Sequence, residues 1–563
     1  MDLTPIPTRR SLFALFLAFT VLWFGSLDYR KLIQPDEGRY AEIAREMAVS
    51  GDFVTPRLNG LKYFEKPPLQ YWMTAAAFKV FGENEWTARL WPCLTGFFSV
   101  LLAFFTARRL FGDRAALFAA VTLGSGLFTV LIGHINTLDM GLSFFLQLAL
   151  SGMLLANHEN TAHHLRRQWM LLVWVALALA MLSKGLVSLV LCGATLLLYS
   201  LLTRDFTPWR RLELLRGIPL FLLIAAPWFI AVSLTNPEFF HFFFIHEHFE
   251  RFLTKEHGRY QPAWYFCAIL LVGTLPWTLM TLHGWLSAWT RERSGARKPE
   301  FQPQRLLFVW SLVILVFFSA SSSKLPSYIL PMAPALAILT GVFLARARRE
   351  TLLIHLALIV PVATLATCFA PKITTQADAI TPLDMMEQYA HWVTVAGGIW
   401  LLGALAALIL VWHRRQGHGL ITLAATSFLA LMLVIQGHET LGRSNSSRDL
   451  AQTIKPLLPP GVPFYSVNMY EQTLPFYLQR TLTLVNYRDE LSFGLDREPQ
   501  LGIPTIAEFV LRWRANGDAF AVMNQSTYDE LKAGGLAMTL VAQDTRRIVV
   551  RKQGLSVLGQ AGG

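Results

Sequence analysis

Charge is what this 563-residue chain has little of: 15% of its residues are Asp, Glu, Lys or Arg, against 53% hydrophobic ones. With a mean hydropathy of +0.41, that balance excludes a soluble globular protein and points to an integral membrane protein. Cysteine is scarce too. The four present, Cys93, Cys192, Cys267 and Cys368, all fall in or at the end of apolar runs, so neither a disulfide framework nor a CxxC zinc site is expected. There is no Gly-rich phosphate loop, which argues against a nucleotide substrate. Internal repeats and low-complexity stretches are also missing. The first apolar run lacks a clear A-x-A cleavage site and reads as a retained span.

Long apolar runs are what the chain does have. Thirteen candidates for spans of roughly 17–25 residues begin near Ser11, Ala88, Ala115, Leu138, Trp169, Leu186, Leu215, Pro262, Arg305, Tyr328, Thr351, His391 and Gly419. The formal charge of +12 would suit nucleic acid, but the basic residues occupy alternate connections, from Arg9-Arg10 through Arg108/Arg109/Arg114 to Arg414-Arg415. That is the positive-inside pattern, with a cytoplasmic N-terminus. It places the Asp36 loop, the Asp139 turn, the Asn236–Gln261 loop, the Ser321–Ser327 turn and the C-terminal segment together on the outer side.

Within the external loop 28–87, Tyr40, Ile43, Ala44, Met47 and Ala48 recur at helical spacing and predict an amphipathic helix along the membrane surface, closed by Gly51. Asn59-Gly60 signals a turn. Pro67-Pro68 opens a second helix that ends at Gly82. In the external loop 236–262, helical spacing pairs His246 with Glu250 and Glu247 with Arg251; the string is not H-E-x-x-H, which excludes a metalloprotease. Taken alone, Asp139 reads as a first-turn acid, Lys324 as a solvated turn residue, and the 236–262 loop as an interfacial aromatic helix. From about His438 the composition changes. Strands at Val462–Val467, Thr481–Val485, Ala519–Met523 and Arg546–Lys552 alternate with helices at Ser447–Leu457, Ile506–Asn516 and Thr527–Ala533, which predicts a small α/β lid or recognition domain. The division is thus a membrane domain over 1–437 and an external α/β domain over 438–563.

Charge beside a membrane marks a functional site. If the outer loops converge, they bring together carboxylates (Asp36, Glu65, Asp139), an imidazole (His246) and cations (Arg39, Lys66, Arg251). Such a mixture suits phosphate chemistry. A polyprenyl-phosphate sugar fits better than a sugar nucleotide, because its tail can lie between spans while its phosphate meets the cations.

Five features carry a family resemblance: the acidic pair Asp36-Glu37, the string Tyr63-Phe-Glu-Lys-Pro-Pro-Leu69, Asp139 at the third-to-fourth span connection, His246-Glu-His-Phe-x-Arg-Phe252, and Lys324-Leu-Pro-Ser-Tyr-Ile-Leu-Pro331. Together they resemble the bacterial lipid A aminoarabinose transferases, which belong with the protein O-mannosyltransferases to the GT-C type. The resemblance implies a polytopic α-helical membrane protein of about 13 transmembrane helices, with surface amphipathic helices and a C-terminal periplasmic α/β domain. It implies inverting transfer of 4-amino-4-deoxy-L-arabinose from undecaprenyl phosphate to lipid A phosphates, outside the inner membrane. Asp36 would be the catalytic carboxylate and Asp139 a second acidic contributor. Arg39, Lys66 and Arg251 would hold the lipid phosphate, with Lys324 among the substrate-binding residues. Tyr40, Tyr63 and Tyr328 would line the cavity. Glu65 and His246 would hold a divalent metal, zinc or magnesium. The expected partners are the lipid-linked donor, lipid A and the bilayer, with no nucleic acid and a monomeric chain. The rivals are a transferase using another sugar or a protein acceptor, and a lipid-linked-sugar transporter; the latter would place polar residues deep in paired spans.

Overall fold

The computed structural model describes residues 9–250, 261–290 and 301–552. In chain order the first helices are α1 (Arg9–Phe24), α2 (Asp36–Ser50), α3 (Leu69–Phe81), α4 (Glu85–Phe111), α5 (Asp113–Ser125), α6 (Leu127–Gly133), α7 (Asp139–Asn157), α8 (His163–Lys184) and α9 (Val187–Thr203). Apolar helices follow through Gln416–Gly437. Among the described residues nine helices are long and apolar enough to cross a membrane. The thirteen runs read from sequence are therefore not thirteen equivalent spans. Two correspond to bent pairs, α5–α6 (56°) and Tyr265–Gly273 with Thr278–Thr290 (114°), and two to the shorter helices α1 and α9.

The two bends meet each other. Leu127 N–H donates to the Leu275 carbonyl (3.1 Å), and the Trp277 indole to Ser125 Oγ (2.9 Å). Backbone freed at one break is thereby satisfied by the other, as an apolar surrounding requires. The centre of the bundle is α7 and the Pro326–Leu344 segment, whose apolar windows are 83% and 89% buried; Leu214–Thr235 and Arg349–Gln376, at 22%, face outward. Side chains such as Leu223 and Leu234 are accordingly exposed, as lipid contact demands.

Between α2 and α3 lies a hairpin, β1 (Arg57–Leu58) against β2 (Leu61–Lys62). Its turn is Asn59-Gly60, both at positive φ (56° and 79°), the conformation a tight hairpin needs and this pair readily adopts. The C-terminal unit carries one six-stranded sheet in the order β5-β4-β3-β6-β8-β7, formed by β3 (Phe464–Val467), β4 (Thr483–Val485), β5 (Gly502–Ile503), β6 (Ala519–Met523), β7 (Thr539–Gln543) and β8 (Ile548–Lys552). The first four in that order are parallel, and β8 and β7 run antiparallel. The fully buried β6 reads as an apolar run, which made it visible. The two-residue β5 and the mostly exposed β7 carry too little pattern to be seen.

This unit clamps the segment between α1 and α4. Asn59 exchanges two hydrogen bonds of 2.7 Å with the Leu482 backbone, the Tyr477 hydroxyl accepts from Leu32 N–H at 2.8 Å, and Arg57 pairs with Glu498 at 2.9 Å. A Cβ on Gly38 would stand 2.7 Å from the backbone at Gln472-Thr473, so only glycine permits the approach. The expectation that α2 lies on the membrane surface by one apolar face needs correction. Its polar Glu37, Glu42 and Arg45 are buried along with Tyr40, Ile43 and Ala44, because α4 presents Arg89 to Glu37 while the C-terminal unit packs against α2 as well.

Candidate functional site beneath the C-terminal unit

The adjacent acids Asp36 and Glu37 open α2 and point different ways. Glu37 is fully buried against the Arg89 guanidinium in a two-pronged ion pair (2.7 and 2.8 Å). Its oxygens also accept from Asn136 N–H (3.0 Å) and Ile33 N–H (3.1 Å). Arg89 in turn donates to the carbonyls of Leu27, Arg30 and Lys31. Burial pushes the Glu37 carboxyl up, but the neighbouring Arg89 outweighs it and holds the group down at about 2. It is thus a fixed anion that ties the loop to α4 and to the turn before α7. Asp36 keeps 47% of its side chain exposed and meets Arg39 at 2.8 Å. Arg39 is also bound by Glu490 of the C-terminal unit and lies 5.8 Å from the Tyr40 ring centre.

Around this pair Tyr40, Tyr63 and Tyr71 pack into one buried cluster with Leu138, the residue before Asp139. Lys66 donates to the Glu65 carbonyl (2.7 Å) and to Glu247 (3.2 Å), which joins the first loop to the 236–250 segment. That segment is a π-helix over His241–Glu250, so the α-helical spacing expected for it does not apply. The His246 ring lies 5.2 Å from Phe242, Phe242 4.0 Å from Phe493, and Phe493 5.8 Å from Phe64, next to Glu65. Asp139 pairs with Lys184 at 2.5 Å, and that ammonium stands 5.1 Å from the Tyr328 ring. Lys324 is not the solvated residue a short turn suggests. It is 5% exposed and bonded to the Ser321 carbonyl. Arg251 lies outside the described residues.

On the far side of α2, Arg45 grips Glu42 with two 2.7 Å bonds, and Glu46 accepts from Gly60 N–H (2.9 Å). Burial, then the Glu42 charge, pushes the Glu46 carboxyl up to about 8 from its ordinary 4.5. The folded chain therefore holds a proton there that the unfolded chain releases. The contribution to stability is full below pH 4.5 and is lost as pH rises through about 8. Glu46→Gln is expected to flatten the pH dependence of thermal unfolding across that window, gaining most on the parent at its alkaline end; parallel curves for the two proteins would exclude the assignment.

The described part of the chain matches two families: "Dolichyl-phosphate-mannose-protein mannosyltransferase" over residues 9–243 and "Aminoarabinose transferase C-terminal domain" over 450–552. The crystal structure of ArnT from Cupriavidus metallidurans bound to undecaprenyl phosphate superposes with a TM-score of 0.92 at 40% identity, over 98% of this chain and 100% of that one. This chain belongs to the ArnT family of aminoarabinose transferases. A curated relative from Pseudomonas aeruginosa (strain UCBPP-PA14), an undecaprenyl phosphate-alpha-4-amino-4-deoxy-L-arabinose arabinosyl transferase, is 36% identical over 59% of this chain, and the match spans 60% of the relative's length. The archaeal oligosaccharyltransferase AglB from Archaeoglobus fulgidus aligns over 92% of this chain and 70% of its own, at TM-score 0.51 and 12% identity; that likeness shows a common GT-C fold alone.

Within this ArnT-family site, Lys184, Glu490, Arg89 and Tyr71 belong to no motif legible in the sequence. Lys184 closes α8 beside Gly185, and a lone cation ending an apolar run was the signal available. Glu490 sits in the C-terminal unit, where one acid among several carries no signal. Arg89, in the second turn of α4, carries no local signal, and only the packing of α4 against α2 reveals its partner.

Proposed function

We propose that this chain transfers 4-amino-4-deoxy-L-arabinose from undecaprenyl phosphate to a phosphate of lipid A, acting as a monomer at the outer face of the bacterial inner membrane, with its C-terminal unit in the periplasm. The observation that carries this reading is the likeness to the undecaprenyl-phosphate-bound ArnT structure over 98% of this chain, joined to a half-exposed Asp36 beside a largely covered cation, Arg39.

Arg39 and Lys66, with Arg251, would hold the lipid phosphate as charge develops on it, inside a pocket from which water is largely excluded. Tyr40, Tyr63 and Tyr328 would line it, with Lys324 and Asp139 at its edge. An attacking lipid A phosphate is already anionic near neutral pH and needs little general-base help. Asp36 would therefore orient the sugar and support positive charge at the anomeric carbon. Attack opposite the departing phosphate inverts that carbon. Glu65 and His246 offer one carboxylate and one imidazole, and no group of three or more metal-ligating side chains gathers among the described residues. Two protein donors are too few for a closed zinc site, so Glu65 and His246 would hold a divalent ion only with substrate or water supplying the rest of its shell. Zinc or magnesium held there would draw charge from the phosphate. An added amine lowers the negative charge of the outer surface, which weakens attraction of cationic peptides such as polymyxin.

Lipid A from a transferase-deficient strain expressing this chain is expected to gain a pentosamine by mass, with the anomeric configuration opposite to the donor's by NMR. Unchanged lipid A from well-expressing cells would overturn the acceptor, a hexose on protein would favour the mannosyltransferase-like rival, and retention would exclude single displacement.

A further inference from the structure

Two tyrosine hydroxyls in the Asp36 site are satisfied by nothing in the described chain. Tyr63 is 3% exposed and Tyr71 0%, and neither oxygen has a hydrogen-bond partner among the described residues. Buried hydroxyls in folded proteins nearly always have one. Thr74, one turn along α3 from Tyr71 and also 0% exposed, is likewise without a partner, so one face of α3 carries two unsatisfied hydroxyls. The Tyr71 ring packs 6.1 Å from that of Tyr40, which Arg39 approaches. The charges close enough to act on the Tyr71 phenol are Glu65, Arg39 and Asp36, and burial with the two carboxylates keeps it protonated and able to donate.

We propose that Tyr71 is a substrate-contact residue, its hydroxyl and that of Tyr63 donating hydrogen bonds to the sugar of the lipid-linked donor. This rests on the reading that the site takes a polyprenyl-phosphate sugar. The choice of sugar over phosphate follows from the surroundings. A phenol within electrostatic reach of two carboxylates is poorly placed for the donor's anionic phosphodiester, which Arg39 and Lys66 serve better, and well placed for the neutral hydroxyls of a pyranose. A site built to bond a substrate hydroxyl discriminates strongly, because its own buried group is left unpaired when the substrate lacks that hydroxyl.

Tyr71→Phe removes the oxygen and keeps the ring. In the purified full chain, Y71F is expected to unfold at the parent's temperature and to lower kcat/KM for pentosamine transfer about 10- to 100-fold, while binding undecaprenyl phosphate, which has no sugar, as the parent does. Transfer at the parent rate would overturn the proposal, as would a loss matched by equally weakened undecaprenyl phosphate binding. If the parent binds the sugar-linked donor yet transfers nothing to lipid A, the acceptor reading falls. The contact is then read from donor affinity, where about tenfold weaker binding by Y71F supports it and equal binding overturns it.

Discussion

Asp36→Asn is expected to lower transfer about 10³-fold, the scale on which removal of one preorganised electrostatic group acts, in a protein that folds and inserts normally. The side chain is 47% exposed and is held by an ion pair with Arg39, so the isosteric amide disturbs little packing. What it removes is the negative charge that would face the anomeric carbon as the lipid phosphate departs. Lys66→Ala should behave differently. Its ammonium holds Glu65 and Glu247 in register and would meet the donor's phosphate, so apparent donor affinity falls along with turnover. Initial rates at several donor concentrations, with membrane levels of each variant matched, check both. Parent-like turnover in Asp36→Asn would sink the proposed role of this carboxylate.

The second large effect falls on stability. Arg89→Met leaves Glu37 buried without its guanidinium, and breaking a buried pair from one side costs about 3–5 kcal/mol. The loss should appear as a marked drop in thermal stability of the purified protein, with activity falling because α2 no longer holds Asp36 and Arg39 in place. Removing both charges, as Glu37→Leu with Arg89→Met, should lose less than Arg89→Met alone, since no uncompensated charge remains. A double variant less stable than either single one would show that the carbonyls of Leu27, Arg30 and Lys31, which Arg89 also caps, matter more than the ion pair.

Glu37 and Asp36 show where local pattern stops. As neighbours of one charge in one helical turn they look alike in sequence, yet one is a buried strut and the other stays half-exposed beside Arg39, because α4 presents Arg89 to only one of them. Asp139 makes the same point: a first-turn acid by pattern, it is an ion-pair partner of Lys184 from a helix that begins 24 residues later in the chain.

Apolar runs, alternating basic loops, the helix opened by Pro67-Pro68, the Asn59-Gly60 turn and the buried strand Ala519–Met523 were all determined by the sequence itself. Each depends on periodicity, burial or turn chemistry that acts over a few residues. The tertiary structure alone decided which spans bend and brace each other, that α2 is covered on both faces, and that Glu490, Lys184 and Tyr71 join residues far away in the chain. Those outcomes depend on long-range packing, where a partner's identity is set by three-dimensional proximity and leaves no periodic mark on the sequence.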